Sequence, residues 1–385
     1  MSETTSAFAS VGLFTGVPQH EHFDRLYRLL PRSRMTASAT PHDFPDGSRV
    51  ELPTTFDFAG TVVDTERFLD VTDTAALLVL RDGAVVHEQY RLTGDRGVQW
   101  ISWSVAKSFV SALVGIAVSQ GHIRSIDEPI SAYVQVEPGS AYDGVSIKDV
   151  LQMSSGARWH EDYSDRTSDV ARLGAAMAPG GSLDRFVATA VPESPAGTVC
   201  QYNSTDTQAL GSLLVNATGR SITDYMQEHL YEPLGMESDG YWLLDATGRE
   251  MAFGGVNLTA RDFAKLGELY RRGGEWNGRQ VVPADWVTAS IVPDAPHLEW
   301  GRPVIAGEAL PDGYGYQWWL IPGGLDQYSA IGVYNQWVFV SPRHDVTIVK
   351  LSATRTYGTT MGEEDCWSGT HEAFLQAVAE HVAAT

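Results

Sequence analysis

The sequence predicts an α+β fold, in which an antiparallel sheet flanked by helices is built from both ends of the chain and a mainly helical lobe is inserted between them. Three observations carry this expectation. Strand patterns gather around residues 75–90 and again between 314 and 352, residues from about 146 to 240 are patterned for helices with few strand signals, and a long apolar helical run follows residue 104. The expected organisation is an irregular arm over 1–61 and a single unit over 62–385. Within that unit the sheet lobe takes about 62–145 and 250–385, and the helical lobe about 146–249.

Residues 1–61 are rich in Pro, Thr, Ser and Asp with little periodicity, and read as an arm wrapping a domain or as partly disordered chain. His20 and His22 flank Glu21, but no partner follows at ligand spacing, so solvated histidines are expected rather than a metal site. From Ala75 the pattern changes. Apolar residues 76–80, then Arg81-Asp82-Gly83, then 84–90 form the signature of a hairpin with an Asp-Gly turn. Val105, Phe109, Val110, Leu113, Val114, Ile116, Ala117 and Val118 give the wide apolar surface of a buried helix, with Ser104 in its first turn. Ser146 caps a short helix that stops at Ser154-Ser155-Gly156. Further helices are expected over 183–191, 206–216 and 222–230, and Thr259 caps another that ends near 271–273. Strands at 314–320, 335–340 and 346–352 and a last helix over about 371–383 close the chain.

With 385 residues and 43% hydrophobic content the chain can bury a sizeable core. Its net charge of −21 argues against nucleic acid or anionic membrane as a partner, since both are polyanions. Cys200 and Cys366 make no disulfide framework, which fits a reducing compartment. No segment reaches the length of a membrane span and residues 1–17 lack a basic start, so a cytoplasmic protein is expected.

The chemistry centres on Ser102-Trp103-Ser104-Val105-Ala106-Lys107. Residues three apart lie on one helix face, so Lys107 can reach the Ser104 hydroxyl, the geometry of a nucleophile and its base. A helix start also leaves backbone N–H groups unpaired at the positive end of the macrodipole, where an oxyanion would find donors. Lysine is scarce: only Lys107, Lys148, Lys265 and Lys350 occur among 27 basic residues, which makes a chance Ser-x-x-Lys less common. Two remote stretches offer the remaining parts. Residues 197–205 carry Tyr202 in a polar turn before a helix, where the phenol either passes a proton near the lysine or sits in the core with its hydroxyl at the surface. Residues 329–336 lead into an apolar strand whose end, placed beside Ser104, would supply a second backbone N–H.

Taken together these motifs resemble a family. Ser104-Val105-Ala106-Lys107, Leu151-Gln152-Met153-Ser154-Ser155-Gly156, Tyr202-Asn203-Ser204, Leu230-Tyr231-Glu232-Pro233-Leu234-Gly235-Met236, Gly254-Gly255-Val256 and Thr259-Ala260-Arg261-Asp262 are similar, in this order, to serine hydrolases related to class C β-lactamases and penicillin-binding proteins. His160-Glu161-Asp162-Tyr163, Trp318-Trp319 and residues 332–336 look most like the branch that holds 6-aminohexanoate-dimer hydrolase and related carboxylesterases. The resemblance implies a β-lactamase/transpeptidase-like fold with the site between its two lobes. It implies Ser104 as nucleophile, Lys107 as its base, Tyr202 as the relay that protonates the leaving group, and an oxyanion hole from the N–H groups of Ser104 and Val333. It also matches Tyr163 to a pocket tyrosine.

Trp159, Tyr163, Ser204, Phe253, Trp318, Tyr334 and Trp337 are the expected pocket residues, favouring an apolar acyl or alcohol part. Two departures refine the substrate. The Lys-Thr-Gly strand motif of the β-lactamases is replaced by Ile331-Gly332-Val333, without the cation that would hold a β-lactam carboxylate, and Phe253 stands where the nylon-oligomer enzyme has a polar residue. The expected function is therefore a serine hydrolase of small carboxylic esters and, in second place, amides, needing no metal or other cofactor. An amidase, nylon-oligomer hydrolase or D-stereospecific peptidase is the enzymatic alternative, and a ligand-binding module of the same fold is the alternative without turnover. The expected partner is a small ester or amide substrate, with a homodimer left open.

Overall fold

The computed structural model describes residues 11–324 and 326–385. Its main elements, in chain order, are β1 (Thr74–Arg81), β2 (Ala84–Tyr90), α1 (Ala106–Ser119), α2 (Ser204–Thr218), α3 (Ala260–Arg271), β3 (Gly313–Tyr314), β4 (Trp319–Leu320), β5 (Tyr328–Gly332), β6 (Gln336–Ser341), β7 (Val346–Ser352) and α4 (Ser368–Ala384). The seven strands form one antiparallel sheet in the order β3-β4-β5-β6-β7-β1-β2. This is an α+β architecture in which the two strands of the sheet that come first in the chain, β1 and β2, join those that come last through the pairing of β1 with β7.

The β1–β2 hairpin forms because Asp82 and Gly83 both take left-handed backbone angles, φ 47° and 75°, which match the twist of the flanking strands. β1 is buried on both faces. Ala76, Leu78 and Leu80 join α1 and α3 in the larger core, while Leu77 and Val79 face the smaller core closed by α4 through Phe374, Leu375 and Val378. This period of two explains why an unbroken apolar run serves as a strand between two helical layers. On the first face α1 is buried along nearly its whole length and packs on α2, so the segment carrying Ser104 is wedged between the sheet and the helical lobe.

Several elements depart from the sequence reading. Residues 314–320 are two short strands instead of one, because the chain turns at residues 315–318 with Gln317 at φ 64°. The helix capped by Ser146 ends at Leu151, and Met153, not Gly156, is the first residue to take a left-handed angle, φ 53°. The helix from Ile222 stops at Met226 and passes into a wider turn over Gln227–Tyr231. Gly240–Leu243, in the stretch patterned for helices, is a strand of a second, four-stranded sheet, and its aromatic pair Tyr241-Trp242 suits that role. The same sheet takes Arg32–Met35 from the arm as its edge, paired antiparallel with Gly240–Leu243. Cys200 and Cys366 are free, buried thiols. Among the described residues no helix is long and apolar enough to cross a membrane.

Candidate active site

α1 begins at Ala106, and Trp103–Val105 form a separate 3-10 turn ahead of it. Ser104 therefore precedes the α-helix instead of lying in its first turn. Trp103 is held at φ 45°, a left-handed angle that costs a bulky residue energy, so the surrounding structure sets the turn. The i to i+3 relation survives, because a 3-10 turn running into an α-helix keeps both side chains on one side. Lys107 Nζ lies 2.9 Å from Ser104 Oγ, 3.1 Å from Ser204 Oγ and 2.9 Å from the Phe253 carbonyl oxygen. Lys107 is 1% exposed, and burial pulls its amine down to about 8 against the opposing pull of Glu161.

Glu161 is the member of this cluster to which the sequence reading assigned no role. It is fully buried, receives hydrogen bonds from Tyr163 OH and from Trp159 Nε1 (2.6 Å), and lies 3.4 and 3.5 Å from the Ser204 hydroxyl. Burial pushes its carboxyl above the usual range, while Lys107 and the three donors pull it back. Lysine and carboxylate thus face each other across Ser204, each raising the cost of the other's neutral form. The signal that marks Glu161 is the alternation Trp159, Glu161, Tyr163, whose two aromatic side chains both donate to its carboxylate.

Tyr202 is positioned by the start of α2. Asn203 caps that helix by accepting a hydrogen bond from Thr205 N at 2.8 Å, which fixes Tyr202 just before the helix and Ser204 as its first residue. The Tyr202 phenol interacts with Ser104, and burial together with Glu161 holds it well above its ordinary pKa, so it carries its proton. Its ring lies 5.1 Å from Lys107 Nζ and 5.0 Å from the Trp319 ring. On the opposite side, β5 ends against the Ser104 turn. A Cβ added at Gly332 would lie 2.6 Å from Ser102 O and 3.0 Å from Ser104 N, so only glycine lets the strand end, with Val333 next in the chain, come this near.

A cavity of about 570 Å³ opens over this cluster and is lined in part by Ser104, Tyr163, Ser204, Phe253 and Val333. The other expected pocket residues are placed elsewhere. Trp159 is buried as a support of Glu161. Trp318 is fully buried against Tyr270 and Tyr328, while its neighbour Trp319 takes the place beside Tyr202; successive strand residues face opposite ways. Trp337 stacks on His371 in the core on the far face of the sheet. Tyr334 braces the rim: its hydroxyl accepts a 2.6 Å hydrogen bond from Phe14 N, and its ring stacks on Phe14. Leu13 and Phe14 of the arm, together with Met251 and Arg166, are lining residues that sequence reasoning did not single out. Among the described residues no cluster of three or more His, Cys, Asp or Glu side chains is arranged to hold a metal ion.

Known proteins resemble this chain in sequence and in fold. A family model described as Beta-lactamase matches residues 66–365. The chain is 31% identical over 343 residues to the 6-aminohexanoate-dimer hydrolase of Paenarthrobacter ureafaciens, covering 86% of this chain and 84% of that one. Among solved structures, a Bacillus anthracis protein provisionally described as a 6-aminohexanoate-dimer hydrolase superposes with a TM-score of 0.83 at 20% identity over 94% of both chains. EstCE1, a hydrolase with promiscuous acyltransferase activity, gives a TM-score of 0.61 at 16% identity over 83% of this chain and 96% of its own. The fold, the matched family model and the 31% identical relative together make this chain a member of the β-lactamase family of serine hydrolases.

Proposed function

We propose that the protein hydrolyses small carboxylic esters through an acyl-enzyme on Ser104, with Lys107 as base and Tyr202 as proton relay. The observation that carries this reading is the contact between a buried amine held near pKa 8 and the Ser104 hydroxyl. A neutral amine has two N–H groups and one lone pair. The Phe253 carbonyl can only accept, and the Ser204 hydroxyl, donating to Glu161, accepts from Lys107. Both N–H groups are thereby used, and the lone pair faces Ser104.

As Ser104 Oγ bonds to the substrate carbonyl carbon, its proton passes to Lys107. The resulting ammonium has three acceptors within reach. The oxyanion is held by the N–H groups of Ser104 and Val333, where the close approach at Gly332 supports a shared site. Tyr202 gives its proton to the leaving oxygen as the carbonyl re-forms, and Lys107 returns a proton to Tyr202. Water then repeats the sequence on the acyl-enzyme and releases the acid. Incubation with an aryl fluorophosphonate gives one covalent adduct by mass spectrometry, on the peptide containing Ser104; an adduct on another serine would overturn the assignment. Linear amides are the second reading, favoured by the relative named as a 6-aminohexanoate-dimer hydrolase. The apolar wall of Met251 and Phe253 favours esters, so an aryl ester should be turned over faster than 6-aminohexanoate dimer.

The coupling to Glu161 makes a separate prediction. kcat/KM for an aryl ester rises with pH as Lys107 loses its proton, with a midpoint near 8. The negative charge on Glu161 stabilises the ammonium and so raises this midpoint. Glu161→Gln keeps the shape and removes the charge, and the profile moves to lower pH by about one pH unit. An unmoved profile would show that Glu161 acts only in packing.

A further inference from the structure

The two N–H groups assigned to the oxyanion belong to Ser104 and Val333, and each adjoins an aromatic residue held at a left-handed angle. Trp103, at φ 45°, precedes Ser104, and Tyr334, at φ 61°, follows Val333. Neither residue type takes such an angle readily, so its surroundings must hold it there. Neighbours in the sheet fix the two backbones. Gly332 packs on Ser102 and Ser104, and Gln336 Nε2 donates to Val333 O at 3.1 Å and to Tyr334 O at 3.0 Å.

The two aromatic side chains are gripped by the N-terminal arm. Phe23 is fully buried at the end of the short helix His20–Phe23, with its ring nearly perpendicular to both others. Its centroid lies 5.5 Å from that of Trp103 at 71° and 4.9 Å from that of Tyr334 at 81°, while Trp103 and Tyr334 stack on each other at 6.2 Å. Phe14 adds its own stack on Tyr334 and the hydrogen bond from its N–H to the Tyr334 hydroxyl. Gln19, also fully buried, ties Phe14 and Phe23 into one unit. Its carbonyl accepts from Phe23 N at 2.9 Å, and its Nε2 donates to Val11 O at 2.8 Å and to Val17 O at 3.2 Å, on either side of Phe14. The arm precedes residues 66–365, so the match to the family model accounts for neither Phe14 nor Phe23.

We propose that Phe23 is a positioning residue for the oxyanion: it locks Trp103 against Tyr334 and thereby fixes the spacing of the Ser104 and Val333 N–H groups. This rests on the hydrolase reading above and adds to it that the arm completes the site. Perpendicular aromatic pairs are favoured by the ring quadrupoles, and removal of the central ring leaves space into which either neighbour can move. Phe23 does not line the cavity, so its loss acts on the transition state and spares ground-state binding.

Phe23→Leu keeps an apolar side chain and removes the ring. For an aryl ester, kcat falls about tenfold while KM stays within about twofold, and inhibition by a trifluoromethyl ketone, whose adduct on Ser104 carries the oxyanion, weakens about tenfold. Phe374→Leu supplies the comparison, because Phe374 is an equally buried phenylalanine in the smaller core on the far face of the sheet. It lowers the unfolding temperature to a similar extent and leaves kcat and inhibition at wild-type values. Should Phe23→Leu fail to fold, Phe23→Met, which fills more of the space with a flexible side chain, is measured in the same way. A Phe23 variant that keeps wild-type kcat, or an equal fall of kcat in Phe374→Leu, overturns the proposal while the hydrolase reading stands. Undiminished turnover of the ester by Ser104→Ala removes the hydrolase reading, and this inference falls with it.

Discussion

Exchange of Lys107 for methionine lowers kcat/KM for an aryl ester by about 10,000-fold, the largest effect expected of any residue apart from the nucleophile itself. The loss falls on chemistry and not on the fold. Methionine keeps a flexible apolar stem in a site that is 1% exposed, and it relieves the cost of keeping an amine among Phe253, Tyr202 and Ser204. Against this, the Phe253 carbonyl and the Ser204 hydroxyl lose a donor, a penalty of about 1–3 kcal/mol for a buried acceptor. The two effects oppose each other, so thermal unfolding should shift by only a few degrees. Lys107→Arg separates charge from basicity. A guanidinium stays protonated at every accessible pH, so this variant should be as inactive as the methionine variant, and raising the pH should not restore it. Retention of more than a tenth of wild-type kcat/KM by either variant would remove Lys107 from the role of base.

What could be read in the chain follows the distance over which each feature is determined. The Asp82-Gly83 hairpin and the caps at Ser146 and Thr259 are set by neighbours in sequence, and the structure places them where the residue types indicate. The Ser104–Lys107 contact is also local. The 3-10 turn that carries Ser104 is not, because the left-handed Trp103 is imposed by β5 packing on the Ser102–Ser104 backbone. Glu161 was missed for the same kind of reason. A glutamate becomes part of the site only by being buried across Ser204 from a lysine 54 positions earlier, and the flanking Trp159 and Tyr163, which mark an inward face, do not identify that lysine. Trp318 and Trp319 show how a small local irregularity reverses an assignment: Gln317 turns the chain ahead of β4, and the tryptophan beside Tyr202 is the second of the pair. Leu13 and Phe14 lie in a stretch without periodicity. The seat of Phe14 on the cavity depends on residues remote in sequence: Tyr163 and Tyr334 stack on its ring, and the Tyr334 hydroxyl accepts from its N–H.

Gly332→Ala is expected to cost about 100-fold in kcat/KM, although it adds a single methyl group. The reason is space and not backbone freedom, since Gly332 does not take a left-handed angle. The added Cβ would meet Ser102 O at 2.6 Å and Ser104 N at 3.0 Å, and both are backbone atoms that no rotamer change can move away. Relief must come from shifting the end of β5 or the turn that holds Ser104. The turn is tied on its other side by the 2.8 Å hydrogen bond from Ser102 N to Val256 O, and β5 is tied by its register with β6 from Tyr328 to Gly332. Whichever yields, the separation of the Ser104 and Val333 N–H groups changes. A misplacement of about 1 Å in such a site costs on the order of 100-fold, and loss of one oxyanion donor costs at least as much. The expected signature is a fall in kcat with little change in KM. Gly267→Ala supplies the comparison: in α3 its Cβ would meet the side chains of Thr347 and Val338 at 2.7 and 2.8 Å, inside the core and away from Ser104. That variant should unfold at lower temperature, by an overpacking cost of about 1–3 kcal/mol, and keep near-normal kcat/KM at 25 °C. If Gly332→Ala instead behaved like Gly267→Ala, losing stability and keeping kcat, the strand end would be a packing surface and the oxyanion would have to be held without Val333.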